Sequence, residues 1–122
     1  MGGGVEAREV REDDPDRPRR GDVFLVSQDP TRGGEIRKTR PCLVVSPDEL
    51  NRHLSTVLIA PMTTGSHDYP FRVPCTFKKT KGHVVLDQVR AVDTHRLVRR
   101  LGRIHERTLS AVLETLQEMF LP

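Results

Sequence analysis

Two stretches of the chain carry the residue types needed to grip a phosphodiester. The first is the loop Pro30-Thr31-Arg32-Gly33-Gly34-Glu35-Ile36-Arg37-Lys38-Thr39-Arg40-Pro41, which runs directly into the apolar segment Cys42-Leu43-Val44-Val45. The second is Pro61-Met62-Thr63-Thr64-Gly65-Ser66, a hydroxyl-rich turn that follows Val57-Leu58-Ile59-Ala60. Guanidinium groups offer a planar fork of donors that matches two phosphate oxygens at once, and threonine hydroxyls add neutral donors. Arg40 precedes a proline, which biases its backbone toward an extended conformation at the entrance to a strand. Arg32, Arg37 and Lys38 add positive charge along the same loop. Each group also has a structural use: Arg40 in an ion pair, Thr63 in satisfying a turn. Other chemistries lack their signatures. There is no Gly-x-Ser-x-Gly, no phosphate-binding glycine loop and no Cys-x-x-Cys pair. His53, His67, His83, His95 and His105 lack the i, i+4 spacing of a helical metal pair, so each reads as a surface residue and no metal or cofactor is expected.

The net charge of +3 over 122 residues is unevenly spread. Residues 1–20 hold five basic and six acidic side chains, the rest fifteen basic and eleven acidic. Basic residues cluster at Arg32 to Arg40, at Arg72, Lys78, Lys79 and Lys81, and at Arg96, Arg99, Arg100, Arg103 and Arg107. Such clusters suit a polyanion, whose counterions they displace, but from charge alone a solvated surface is the favoured reading, since most charged residues are simply exposed. Aromatic residues are few, with four Phe, one Tyr and no Trp, which argues against a platform that stacks successive bases. A nucleic acid would be held by arginines, hydroxyls and backbone groups instead. No stretch approaches the ~20 apolar residues of a membrane span, and the charged N-terminus is unlike a secretory signal. The expected location is the cytoplasm, with Cys42 buried and Cys75, after a proline, half exposed.

Residues 1–19 are poor in apolar side chains and rich in Gly, Glu, Arg, Asp and Pro, a composition that cannot offset the entropy of ordering. They are expected to form a disordered tail ahead of one domain at 20–122. Within that domain the apolar runs are short: Val23 to Val26, Cys42 to Val45, Val57 to Ala60, Val84 to Val89 and a basic run from Leu97 to Ile104. Each reads as a strand. Residues 69–73 alternate, with Pro70 marking an edge strand. Ser46-Pro47-Asp48-Glu49 opens a short helix, with Ser46 as cap. Leu109, Val112, Leu113, Leu116 and Phe120 recur at helical spacing, placing an amphipathic helix over about 105–120. The expectation is a mainly β domain, a small barrel-like sheet with a C-terminal helix packed on it.

The ordered set of motifs resembles the MazF/PemK family of toxin endoribonucleases from type II toxin–antitoxin systems. It comprises Arg20-Gly21-Asp22, Asp29 to Glu35, Thr39-Arg40-Pro41, Leu43 to Ser46, Ala60-Pro61-Met62-Thr63-Thr64, Tyr69-Pro70-Phe71-Arg72-Val73 and Leu86-Asp87-Gln88-Val89-Arg90 with Asp93. The resemblance spans about residues 19–120. It implies a partly open SH3-like barrel, a homodimer, sequence-specific cleavage of single-stranded mRNA without metal, and neutralisation by a cognate antitoxin. It also implies that Arg40 and Thr63 are the main catalytic residues. Glu35 matches a glutamate implicated in some members, and Gln88 and Arg90 match a segment with structural or RNA-binding use. Two loops depart from the family pattern: Gly65-Ser66-His67-Asp68, and Thr76 to Gly82 with Lys78, Lys79 and Lys81. Both, together with Thr64, are candidate RNA contacts. A toxin of the same fold that binds DNA gyrase, or a non-catalytic relative that binds RNA or protein, is the alternative; the paired Arg40 and Thr63 favour the nuclease.

Metal-free cleavage of RNA uses the substrate's 2′-hydroxyl as nucleophile, leaving a 2′,3′-cyclic phosphate and a 5′-hydroxyl. A guanidinium keeps its proton in proteins. Arg40 is therefore assigned to stabilising the phosphorane and to general-acid duty, leaving Glu35 or His67 as candidates for the base.

Overall fold

The computed structural model describes residues 17–28, 38–65 and 68–122. Seven strands follow in chain order: β1 (Asp22–Ser27), β2 (Thr39–Val44), β3 (Thr56–Thr64), β4 (Arg72–Phe77), β5 (Thr80–Val85), β6 (Arg90–Asp93) and β7 (Leu97–Arg103). The helices are α1 (Asp48–His53), between β2 and β3, and α2 (Glu106–Met119) at the C-terminal end. All strand pairs are antiparallel, in the order β4-β5-β3-β2-β1-β7, with β6 also on β3. The ends of this order, β4 and β7, are not paired with each other. The result is the expected barrel-like sheet, left open.

Both faces of the sheet bury apolar side chains. One face carries Val23, Leu43, Ala60, Met62, Val73, Cys75, Val84 and Leu86, covered by Leu109 and Val112 of α2. The other gathers Phe24, Val26, Cys42, Val44, Val57, Ile59 and Val92. A fully buried side chain of this size contributes about 1.5–3 kcal/mol, so the apolar runs read from the sequence are also the main source of stability. Leu113, Leu116 and Met119 extend the α2 contact. Phe120, assigned to that face by spacing, lies just past the last turn and is 74% exposed.

Several elements depart from expectation for local reasons. The edge strand begins at Arg72, because Tyr69 to Phe71 form a turn in which Phe71 takes φ 63°. Thr76 to Gly82 is a β-hairpin with Lys78 and Lys79 at its tip, at φ 50° and 68°. Two left-handed residues are what a two-residue hairpin turn demands, although neither is Gly or Asn. Leu86–Gln88 is a 3-10 turn that separates β5 from β6. Pro47 occupies the N-cap of α1, so Ser46 lies outside it. The Ser46 hydroxyl instead donates to Asn51 Oδ1 at 2.6 Å and accepts from the Leu58 N–H at 3.1 Å. Cys75 is buried, as is Cys42.

Residues 1–16 of the expected tail lie outside the described residues, whereas Arg17 and Pro18 are buried. Next to them Asp22, itself 2% exposed, ties the start of β1 to β7. Its carboxylate accepts from Arg19 N at 2.9 Å, Arg100 NH2 at 3.0 Å and Arg103 NH1 at 2.8 Å, while Arg100 also donates to the Arg17 carbonyl at 3.0 Å. Much of the basic group on β7 is therefore structural. Arg96, just ahead of the strand, donates to the Ser27 carbonyl.

Candidate nucleic-acid interface and active site

The site opens where β2 and β3 part. Their ladder runs Val44↔Ile59, Leu43↔Ala60 and Cys42↔Pro61, and stops there. Pro61 and the neighbouring Pro41 have no N–H to carry it further. β3 pairs instead with β5 through Met62↔Val84, Thr63↔His83 and Thr64↔Gly82. Arg40 lies two residues before Cys42, and Thr63 two residues after its partner Pro61. Since side chains alternate along a strand, both project from the face that holds Cys42, Val44 and Ile59. Arg40 and Thr63 thus flank the point where the β2–β3 ladder ends.

Arg40 is exposed and fixed at its backbone by pairing with Val26 of β1 and by the Cys42 thiol, which donates to the Arg40 carbonyl at 3.6 Å. Among the described residues its guanidinium has no ion-pair partner, so the structural use weighed from sequence is not seen there. The Thr63 hydroxyl is buried and without a hydrogen-bond partner among the described residues. A buried hydroxyl left unpaired costs free energy, which a substrate oxygen would recover.

Arg90 on β6 faces Ile59 in register and reaches Gln28 Oε1 at 3.5 Å. Arg40, Arg90 and Arg96 all lie close enough to Cys42 to pull its pKa down, yet burial dominates and pushes the thiol up to about 12. Cys75 is raised by burial as well. Only the thiolate attacks electrophiles, so at pH 8 both thiols should react with iodoacetamide far more slowly in the native protein than in urea. Equal rates would contradict the burial.

The remaining candidates divide by position. Lys38 is exposed ahead of β2, its carbonyl accepting from Gln28 N at 2.8 Å. Thr63, Thr64 and Lys78 line a cavity of about 240 Å³ with Pro41, Phe77 and Leu101. Lys79 is at the hairpin tip, Lys81 lines a larger groove beyond it, and Gln88 is exposed on the 3-10 turn. Arg32, Glu35, Arg37 and His67 lie outside the described residues.

Three features escaped the sequence reading. His83 is a buried residue, contrary to expectation for a scattered histidine; its Nε2 lies 2.8 Å from Asp68 Oδ1. Alternation back from the apolar Val85 puts His83 on that residue's face of β5, but its pairing with Thr63 is visible only in the β3–β5 register. Asp87 takes Arg72 in a two-pronged bond of 3.0 and 3.1 Å, and the guanidinium holds the carboxylate below its usual range. Arg72 also lies over Tyr69, 4.8 Å from the ring centre.

Gly82 explains how tightly Thr63 is placed. A Cβ there would overlap the Thr63 carbonyl oxygen of the paired strand. Gly82→Ala should force β5 away from β3, cost about 2 kcal/mol or more and disrupt Thr63. Thermal melting and RNA cleavage would both fall; an unchanged melting point would contradict the close approach.

A family model described as PemK-like, MazF-like toxin of type II toxin-antitoxin system matches residues 19–120. The chain belongs to this family. Endoribonuclease MazF9 of Mycobacterium tuberculosis is 32% identical over 109 residues, covering 81% of this chain and 92% of that protein. Endoribonuclease toxin MazF of Escherichia coli is 37% identical over 75 residues, covering 62% and 68%. Among solved structures, an endoribonuclease in complex with its cognate antitoxin, from a mycobacterial species, superposes with a TM-score of 0.71 at 26% identity, covering 86% of this chain and 97% of that one. The open sheet with its C-terminal helix is thus the architecture of the MazF-like toxins.

Proposed function

We propose that this MazF-like toxin is a sequence-specific endoribonuclease that cuts single-stranded RNA without a metal ion. One observation carries the proposal: where the β2–β3 ladder ends, the exposed Arg40 and the Thr63 hydroxyl, buried and without a hydrogen-bond partner among the described residues, project from the same face. That they do so in a chain whose relatives are named endoribonucleases supports the reading. Arg40 binds two oxygens of the scissile phosphate and stabilises the charge that builds on the phosphorane. Thr63 donates to a third. Prearranged donors of this kind lower the barrier by about 3–4 kcal/mol each. The RNA's own 2′-hydroxyl gives its proton to the base, Glu35 or His67, and attacks phosphorus; the 5′-oxygen leaves with a proton from Arg40, which then regains one from the protonated base or water. Arg90, Lys38 and the lysines of the hairpin supply counter-charge along the strand. Among the described residues no three His, Cys, Asp or Glu side chains converge to hold a metal.

The same reading carries a cytoplasmic homodimer and a cognate antitoxin, an acidic and partly apolar segment that orders over the basic face on binding. The test is cleavage of a long single-stranded RNA by purified protein in EDTA. Cuts at one short motif, suppressed when the antitoxin is added, are expected. Cleavage that needs an added divalent cation would overturn the metal-free mechanism.

A further inference from the structure

Beyond Thr63 the sheet continues into a groove that the family assignment leaves unexplained. It lies between the β4–β5 hairpin and the first turn of α2 and has a volume of about 630 Å³. Its polar walls include Asp68, Lys81, His83, His105 and Arg107. His83 is 7% exposed, and its Nε2 meets Asp68 at 2.8 Å. The one carboxylate of the groove is thus already engaged, and Lys81 and Arg107 stand over it as exposed cations with no ion-pair partner among the described residues. His105 caps α2 by accepting the Arg107 N–H at Nδ1, 3.0 Å away, which fixes Arg107 at the groove wall. His83 is also the cross-strand partner of Thr63. The groove therefore includes the strand next to that of Thr63, about 5 Å away from backbone to backbone.

We propose that this groove is a subsite for the RNA backbone next to the cut, with Lys81 and Arg107 holding the phosphate adjacent to the scissile one. The inference rests on the endoribonuclease reading. Net positive charge fits a phosphate, and continuity with Thr63 fits a neighbour of the scissile bond. His83 is a positioning residue: through Asp68 it holds the rim of the groove, and through the β3–β5 register it sits against Thr63.

The experiment uses a short single-stranded RNA carrying the mapped cut site, and two shorter versions that keep the scissile bond, one beginning after the phosphate next upstream of it and one ending before the phosphate next downstream. On the full oligonucleotide Lys81→Ala combined with Arg107→Ala should raise KM roughly tenfold or more, the scale of a charge-assisted contact. It should also flatten the dependence of log affinity on log salt by about 0.7 for the single-strand phosphate lost. On one of the two shortened RNAs wild type should lose the same affinity, and the variant should lose little more. His83→Gln, which keeps a hydrogen-bonding group toward Asp68, should retain more of the full-length affinity than His83→Ala. A KM penalty of equal size on all three RNAs, or none on any, overturns the subsite while leaving the nuclease intact. Absence of cleavage by wild type overturns both.

Discussion

Arg40→Ala should lower the rate of RNA cleavage by about 10²–10³-fold, the loss seen when one prearranged charge-stabilising donor is removed. The melting temperature should stay that of wild type. Both halves follow from where the residue sits. The Arg40 side chain is exposed and makes no ion pair among the described residues, so the folded state loses little when it is removed. Its backbone, held by Val26 and the Cys42 thiol, stays in place. Arg40→Lys should restore only a small part of the rate, since an ammonium is a point charge without the planar fork. Thr63→Val, which keeps the shape and removes the hydroxyl, should cost less than Arg40→Ala because a neutral donor interacts more weakly with an anion. Cleavage by Arg40→Ala at the wild-type rate would remove the residue from the mechanism.

The largest effect on stability is expected at Asp22. Its buried carboxylate accepts from Arg19 N, Arg100 and Arg103, and so joins the start of β1 to the end of β7. Breaking a buried pair by deleting one partner costs about 3–5 kcal/mol. Arg100 and Arg103 are partly exposed and can regain water, which places Asp22→Ala at the low end, about 2–3 kcal/mol after that discount. For a domain near this size that is a fall of roughly 10–20 °C in Tm. Asp22→Asn, which keeps an acceptor and loses the charge, should fall between the two. Urea or thermal unfolding reads the difference directly; a change below about 0.5 kcal/mol, the scale of an ordinary surface substitution, would mean the arginines gain nothing from the carboxylate.

Arg40-Pro41 and Pro61-Met62-Thr63 were legible in the sequence because the properties that matter there are local. A proline extends the residue before it, and an apolar run ending in hydroxyls marks a strand end. Alternation fixes which residues share a face within each strand, but that the two stretches share one face depends on the β2–β3 register, which neither segment contains. His83 was hidden for the same reason. Its neighbours Asp68 and Thr63 come from a preceding turn and an adjoining strand, and a histidine among Lys81, Gly82 and Val84 has no periodic signature of its own. The hairpin tip was unreadable because Lys78 and Lys79 adopt left-handed conformations that residue type disfavours; β-pairing on both flanks overrides that preference. The third basic group was read as a surface charge cluster, yet two of its arginines serve Asp22, far away in the chain. Charge counts do not separate cations held by a buried acid from cations free to meet a phosphate.

The most direct test of the account is to incubate the protein with a long single-stranded RNA in EDTA, beside Arg40→Ala, and determine the chemistry and position of the new ends. Cuts at one short motif, leaving 2′,3′-cyclic phosphate and 5′-hydroxyl ends and absent with the variant, are the expected result. Intact RNA, or 5′-phosphate ends that appear only when a divalent cation is supplied, would contradict it.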